Sequence, residues 1–387
     1  MSEPGATPQP SGAVADGTSG RISIGADCRL ALVPWVVARV AVAVGYLLAR
    51  WSYPHSGDGL RPVALGQGLL AWDAGFYQSI AEHGYDLAGG GLRFFPLVSL
   101  AARALGAPIG GRYGLALVVV ANACAFGFLV VLARLTREEV GDERVVRVAV
   151  WLGAVAPPAV VLVLGYAESM LLLLSVAMFW ALRHERFGWA AALGFAAGLC
   201  RPFGVLLAVP ALIELARVWR VAPLVDRGRA FLAVVAPAGG VAAFALWVRW
   251  QFGDAMLPFR IQTDEGLRGG FRDPVSALVD AIGGGLGGSR PSAGVHVVAA
   301  VVCIGLLVVV ARRLPAGYTA FAGITLLVAL SAENLDSLER YALGAFPLLI
   351  AAGIVARRPL AARIVVAAAT AGLVATTMGV FLGRWVP

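Results

Sequence analysis

The most reactive-looking feature of the chain is an acidic residue set among aromatic residues. Asp73 follows Trp72 and precedes the run Ala-Gly-Phe-Tyr that ends at Tyr77. A carboxylate in a partly dry cleft can accept the proton of a hydroxyl group as a new bond forms. Neighbouring aromatic side chains can stack on sugar faces and exclude water. The alternative is structural: Asp73 caps an interfacial helix beginning near Ala74, and the aromatics form a membrane-interface belt.

Further polar residues follow in the same stretch. His83 could assist an acceptor group or bind a phosphate, or it could be a solvated loop residue, and Tyr85 is a further candidate contact for a substrate. Arg93 could hold a phosphate by charge-assisted hydrogen bonds, or extend its side chain to lipid headgroups. Asp73 and Asp86 are thirteen residues apart, which makes a weak case for a shared divalent cation.

Two charged residues are expected below the outer membrane surface. Glu168 comes fifteen residues before Arg183, and Arg201 comes fifteen residues after Arg186. Fifteen helical residues span about 22 Å, which is less than the hydrocarbon thickness of about 30 Å. Charged groups at this depth pair with each other or line a polar cavity. Arg201 therefore either binds a phosphate, with Glu168 orienting it or contacting sugar hydroxyls, or forms a structural ion pair with Glu168.

Helix-breaking residues interrupt the same region, namely Pro157, Pro158, Gly165 and Pro202. Broken helices are tolerated in a membrane where they face protein or a water-filled cavity. We therefore expect an outward-facing cleft. Arg340 and Tyr341, which begin a later apolar stretch, are a second candidate for phosphate binding, or else an interface anchor.

The composition predicts a membrane protein. The chain has 387 residues, of which 59% are hydrophobic and 14% charged, and its mean hydropathy is +0.80. Soluble domains have about 25% charged residues. The net charge of +8 does not indicate a nucleic-acid partner, because the arginines lie in short loops and form no basic stripe. The four cysteines are widely separated, which argues against a disulfide framework or a zinc site.

Hydropathy predicts about eleven transmembrane spans. They are Leu30–Ala49, Tyr113–Leu132, Val145–Leu164, Ser169–Leu182, Trp189–Leu199, Val205–Ala216, Phe231–Trp250, Gly294–Ala311, Tyr318–Ala332, Tyr341–Ala356 and Ile364–Leu382. Arginine-rich short loops are expected to face the cytoplasm. Residues 1–29 are then a disordered cytoplasmic tail, and residues 30–387 are one transmembrane domain with long outer loops at about 50–112 and 251–293.

Several motifs together resemble a known enzyme family, the PIG-V-like mannosyltransferases, which include GPI mannosyltransferase II of eukaryotes and many actinobacterial relatives. The first-loop motifs are Trp72 to Tyr77, Ile80 to Tyr85 and Phe94 to Leu97; the later ones are Tyr166 to Ser169, Arg201-Pro202, and Arg340-Tyr341 followed by Pro347. The resemblance covers residues 30–382. One departure is Val98-Ser99, where relatives commonly have Tyr-Pro after Phe-Phe-Pro-Leu, and it puts acceptor or donor preference in doubt.

The resemblance implies an all-α polytopic membrane protein with the GT-C-type fold, about eleven transmembrane helices and a catalytic first outer loop with interfacial helices. It implies an inverting transfer of mannose from polyprenyl-phosphate-mannose to a hydroxyl of a lipid, a glycan or a protein, with Asp73 catalytic and no essential cofactor or divalent cation. The expected substrate contacts are Trp72, Tyr77, His83, Tyr85, Arg93, Glu168, Arg201, Arg340 and Tyr341. The expected location is the bacterial plasma membrane, with the N-terminus cytoplasmic and the active site outside.

Two other classes remain open at this point. A transporter or flippase of lipid-linked sugars would carry repeats and polar pairs across the whole membrane depth. A binding or scaffold subunit would tolerate loss of the Asp73 carboxylate. The concentration of polar groups in the outer half of the chain's spans and in one acidic, aromatic loop favours an enzyme.

Overall fold

The computed structural model describes residues 23–53, 62–86, 90–262, 270–286, 291–332, 335 and 337–385. This part of the chain is 84% helical and contains no β-strand. Five helices are long and apolar enough to cross a membrane. They are α1 (Ile24–Ser52), α5 (Tyr113–Val140), α10 (Leu224–Phe252), α13 (Pro291–Arg313) and α17 (Pro359–Phe381). The chain is therefore an all-α protein suited to a membrane.

A possible sixth crossing is broken. Helices α15 (Leu338–Gly344) and α16 (Pro347–Val355) pass the same test together, but they are bent by 89° at their junction. Pro347 begins the second of these helices, and proline is well tolerated at a first helical position because its missing N–H has no partner there. The bend leaves Arg340 and Tyr341 on α15, apart from the apolar α16.

The remaining helices of the bundle are shorter. They are α6 (Glu143–Val155), α7 (Glu168–Arg183), α8 (Phe187–Cys200), α9 (Ala208–Val218) and α14 (Ala316–Leu330), with 3₁₀ segments at Pro157–Leu162 and Pro202–Leu207. Each predicted span overlaps one of the helices. Three predicted spans differ in form. Val145–Leu164 is interrupted at Ala156, Val205–Ala216 begins in a 3₁₀ segment, and Tyr341–Ala356 is bent by 89° between α15 and α16. Eleven complete membrane crossings remain a prediction.

The ends of the predicted domain also differ from expectation. Helix α1 begins at Ile24, so residues 24–29, which were assigned to the tail, are helical. Residues 1–22 lie outside the described residues. Short helices occupy both long loops, as predicted for the first: α2 (Val63–Gln67), α3 (Asp73–His83) and α4 (Pro96–Gly106) in the first loop, and α11 (Leu257–Gln262) and α12 (Pro274–Leu286) in the second.

The basic helix ends meet at one end of the bundle. Asp27, near the start of α1, is fully buried and pairs with Arg137 near the end of α5. Arg183, the last residue of α7, pairs with Glu139 at 2.7 Å. We call this the basic end. The first-loop helices lie at the other end, where α3 packs beside the start of α7.

Helices α8 and α10 make the closest contact in the bundle described. A Cβ atom on Gly198 would lie 2.1 Å from the carbonyl oxygen of Pro237, and one on Gly240 would lie 2.1 Å from that of Phe195. Only glycine allows the two backbones to approach so closely. The crossing fixes the end of α8, and Arg201 follows that end directly.

Candidate active site

Helix α3 begins in an unusual backbone conformation that places Asp73. Trp72 has φ +58° and ψ −129°, a region that residues other than glycine rarely adopt. Its indole Nε1–H donates to the carbonyl oxygen of Val380 in α17 at 3.1 Å. The backbone N–H of Asp73 donates to the hydroxyl of Tyr166 at 3.2 Å. Two distant segments therefore hold this turn in place.

The carboxylate of Asp73 does not cap α3. Trp72 is the N-cap residue of this helix, and no side-chain capping bond is found there within the described part of the chain. Instead, Asp73 Oδ2 lies 2.8 Å from Arg340 Nη1. The structural alternative of a capping residue is therefore not supported.

Four charged residues from four segments form one cluster. Arg340 also pairs with Glu168, since its Nε lies 3.3 Å from Oε1 of that residue. The same Glu168 oxygen accepts a hydrogen bond from Arg201 Nη1. The order Asp73–Arg340–Glu168–Arg201 alternates negative and positive charge, which offsets part of the cost of burying them. We call these four residues the charge cluster.

The cluster is buried at its centre and open at Asp73. The side chain of Arg340 is 7% exposed and that of Glu168 is 9% exposed, whereas that of Asp73 is 23% exposed. Glu168 Oε2 is buried and has no hydrogen-bond partner among the described residues. Buried polar atoms are nearly always paired. This oxygen is therefore a candidate hydrogen-bond acceptor in the cluster.

Aromatic side chains enclose the arginines. The Arg340 guanidinium lies over the rings of Tyr341 and Tyr166, at 5.2 and 5.8 Å from their centroids. Phe203 stacks on Tyr341 with a centroid separation of 4.9 Å. Arg201 lies 5.8 Å from the same Tyr341 ring. These contacts orient both guanidinium groups without neutralising them.

The first-loop tyrosines are held by contacts within the loop, and Tyr85 also lines a cavity there. Tyr77 is buried, and its backbone oxygen accepts a hydrogen bond from Ser99 Oγ at 2.9 Å. Tyr85 donates its hydroxyl to the carbonyl oxygen of Phe94 at 2.7 Å. Burial raises the pKa of the Tyr85 hydroxyl well above its usual value, so this group stays a hydrogen-bond donor. Tyr77 and Tyr85 therefore shape the loop, and Ser99 has a contact of its own in place of the absent proline.

His83 and Arg93 lie away from the charge cluster. His83 is exposed in the last turn of α3, ten residues or about 15 Å along the helix from Asp73. The Arg93 guanidinium lies over the rings of Phe76 and Phe94, at 5.2 and 4.7 Å. Both residues were predicted to contact substrate, and the described contacts place both outside the cluster.

A cavity of about 400 Å³ lies in the first loop, and Trp72, the residue before Asp73, is one of its lining residues. Its lining residues are Gln67, Trp72, Gly75, Phe76, Ser79, Ile80, Gly84, Tyr85, Asp86 and Gly91. Trp72, Gly75, Phe76 and Ser79 recur at three- and four-residue intervals, so one face of α3 forms its wall. Aromatic rings beside hydroxyl, amide and carboxyl groups are suited to binding a sugar ring.

Sequence reasoning missed the direct role of Tyr166. This residue is fully buried and contacts Asp73 and Arg340 at once. Its sequence signals were its position two residues before Glu168 and its place at the start of the Tyr166 to Ser169 motif. Within the described residues, no group of three histidine, cysteine, aspartate or glutamate side chains has a metal-binding arrangement.

Comparison with known proteins finds no protein-family model that matches this sequence and no curated protein with significant similarity to it.

Proposed function

We propose that the protein is a membrane glycosyltransferase that transfers a sugar from a polyprenyl phosphate to a hydroxyl group. The sugar that we propose is mannose. The observation that supports this proposal most directly is the charge cluster, in which Asp73, Arg340, Glu168 and Arg201 converge from four segments. Helix α3, which begins at Asp73, also forms a wall of the first-loop cavity. The proposed architecture is the GT-C-type fold with about eleven spans. This assignment joins the residue pattern of the PIG-V-like enzymes to a geometry suited to their chemistry.

Arg340 and Arg201 would hold the phosphate of the donor. Breaking the bond between the sugar and the phosphate leaves additional negative charge on the leaving group. Two oriented guanidinium groups in a mostly buried site stabilise that charge in the transition state. They supply positive charge of the kind that a divalent cation supplies elsewhere, so we propose that no divalent cation is essential.

Asp73 would act as the general base. Arg340 occupies Asp73 Oδ2 in the structure, at 2.8 Å. A donor phosphate that binds Arg340 would compete for this contact and release the oxygen. The acceptor hydroxyl would then attack the anomeric carbon from the face opposite the phosphate. As the new carbon–oxygen bond forms, Asp73 takes the hydroxyl proton, and polyprenyl phosphate departs with the bonding electrons.

The first-loop cavity would receive the acceptor. Trp72 and Phe76 offer aromatic faces, and Ser79 and Asp86 offer hydrogen-bonding groups. The acceptor is a glycolipid, a glycan or a protein hydroxyl. We further propose a location in the bacterial plasma membrane, with the N-terminus in the cytoplasm and the first loop outside.

Transfer of radiolabelled mannose in membranes tests the proposal. Polyprenyl-phosphate-mannose is added to membranes with the wild type or with Asp73→Asn, which keeps size and polarity but cannot take a proton. We expect incorporation to fall by about a thousandfold, within the usual range for a general base. The control is Asp280→Asn, which removes an exposed carboxylate of α12.

Label found in the wild type only would establish the reaction, and the labelled product would identify the acceptor. Near-normal turnover in Asp73→Asn would contradict the base assignment. If the wild type transfers no sugar from mannose-bearing or other polyprenyl phosphates, the enzyme assignment fails and a transporter of lipid-linked sugars becomes the better hypothesis.

A further inference from the structure

A partly buried arginine outside the charge cluster has an unusual set of partners. Arg39 lies fifteen residues from the start of α1 and thirteen from its end, or about 22 and 20 Å along the helix. It therefore lies near the middle of a helix that is long enough to cross a membrane. An arginine at this depth is costly and usually serves a function.

Neutral oxygen atoms surround this guanidinium. Arg39 Nε donates to Asn122 Oδ1 at 2.8 Å, Nη1 to the carbonyl oxygen of Trp35 at 3.1 Å, and Nη2 to that of Leu162 at 3.1 Å. The guanidinium also lies 4.3 Å from the Trp35 ring centroid. The described contacts of Arg39 thus include three different segments and no carboxylate.

Asn122, which accepts the bond from Arg39, also binds the chain just after the 3₁₀ segment. Its Nδ2 donates to the carbonyl oxygens of Val118 at 2.8 Å and Val163 at 3.0 Å. Leu162 and Val163 end the 3₁₀ segment Pro157–Leu162, where carbonyl groups lose their helical partners. The N–H groups of Gly165 and Tyr166 donate elsewhere, to Leu69 at 3.1 Å and Leu164 at 2.8 Å. Arg39 and Asn122 supply donors in their place, and the Ser169 hydroxyl also donates to the Leu162 oxygen at 3.4 Å.

The residues that follow Leu162 in the sequence connect this contact to the candidate site. Gly165, three residues after Leu162, packs where a Cβ atom would lie 3.4 Å from Cβ of Ala74, the residue after Asp73. Tyr166 then accepts the hydrogen bond from the Asp73 backbone, and Glu168 pairs with both arginines of the charge cluster.

We propose that Arg39 is a positioning residue of the active site. Together with Asn122, it fixes the end of the broken helix, so that Tyr166 and Glu168 reach Asp73 and Arg340 in the reactive arrangement. Its role in catalysis rests on the proposed glycosyltransferase function. Its structural role, which is to hold residues 162–168 in place, does not depend on that function.

The test combines hydrogen exchange with kinetics on the full-length protein in nanodiscs. The main variant is Arg39→Leu, which removes all donors of the side chain. Arg39→Gln keeps an amide donor and replaces the leucine variant if that variant fails to fold. Arg39→Lys is the conservative variant. The matched control is Arg29→Leu, which removes an exposed arginine from the same helix. Exchange is compared between peptides containing residues 163–171 and peptides from α10.

In Arg39→Leu we expect hydrogen exchange to become about tenfold faster in residues 163–171 and to stay unchanged in α10.

We expect kcat to fall by about tenfold or more while the donor KM changes less than threefold, because Phe203 and Tyr341 still orient the donor-binding arginines. Arg39→Lys should recover part of kcat. The double variant Arg39→Leu with Asn122→Leu should raise the activation free energy by less than the sum of the two single variants. The reason is that both residues act on one segment.

Unchanged exchange in residues 163–171, or unchanged kcat despite faster exchange there, would overturn the proposal. Faster exchange throughout the protein would also overturn it, because Arg39 would then be a general stability residue. A wild type that transfers no sugar would overturn the proposed function and, with it, the catalytic role of Arg39. The exchange experiment would still show separately whether Arg39 holds residues 162–168.

Discussion

Arg340 pairs with both carboxylates of the charge cluster and is the most buried of the four residues. It uses Nη1 for Asp73 and Nε for Glu168, a geometry that a planar guanidinium provides and a lysine ammonium does not. This central place makes Arg340 part of the arrangement of the cluster, apart from its proposed role in binding phosphate. Arg201, which pairs with Glu168 alone, offers a cleaner test of phosphate recognition.

We expect Arg201→Ala to weaken donor binding by about tenfold or more. A charge-assisted hydrogen bond to a phosphate contributes more than a neutral one, and a tenfold change corresponds to about 1.4 kcal/mol. The measurement is the Kd of polyprenyl-phosphate-mannose for the purified protein. The control is Arg220→Ala, which removes an exposed arginine at the basic end. Unchanged affinity in Arg201→Ala would leave Arg340 as the main phosphate ligand.

At the scale of helices, the position of Arg201 depends on the crossing of α8 and α10. We expect Gly198→Ala to lower stability by about 1–3 kcal/mol, because the added Cβ would lie 2.1 Å from the Pro237 carbonyl oxygen and the backbones must separate. The measurement is the thermal unfolding midpoint in detergent, followed by donor affinity.

Gly188→Ala is the matched control on the same helix. A Cβ at Gly188 meets no atom within 4 Å, so this variant should be neutral or slightly stabilising, since alanine favours a helix. An equal loss of stability in both variants would show that the α8–α10 contact is looser than described.

The sequence predicts the helices and the positions of several breaks better than the contacts between distant segments. Apolar composition was sufficient to predict a helical membrane protein, and Pro157 and Pro202 each begin a 3₁₀ segment. The Arg spacing left Glu168 and Arg201 as either a structural ion pair or a phosphate site; the structure pairs them, and phosphate binding stays a prediction. Sequence reasoning did not reveal the positive φ of Trp72, which is held by a bond to Val380 three hundred and eight residues away. It also missed the partners of Arg39, since hydrogen bonds between distant segments leave no periodic pattern.

The expected substrate contacts of His83 and Arg93 stay predictions, but neither residue joins the charge cluster. Ten residues separate His83 from Asp73 along α3, and the Arg93 guanidinium lies over the rings of Phe76 and Phe94. Phe76 also lines the first-loop cavity. Closeness to Asp73 along the sequence therefore did not predict which polar residues join Arg340 and Glu168.

At the scale of the whole molecule, charge is arranged differently at the two ends of the bundle. The basic end carries arginines in short connections, paired at least in part with acids, as for Arg183 with Glu139. The other end carries the first-loop cavity and the charge cluster. Excess arginine in short loops favours the cytoplasmic side. A reaction with a polyprenyl-phosphate donor would then take place outside the cytoplasm.

Cysteine labelling in intact cells tests this orientation. In a protein freed of its four natural cysteines, His83→Cys places a thiol on the exposed end of α3, and Arg144→Cys places one on an exposed position at the basic end. A membrane-impermeant maleimide should label His83→Cys in intact cells, and Arg144→Cys only after permeabilisation. The reverse pattern would place the charge cluster on the cytoplasmic side, where the donor would have to be used before it crosses the membrane.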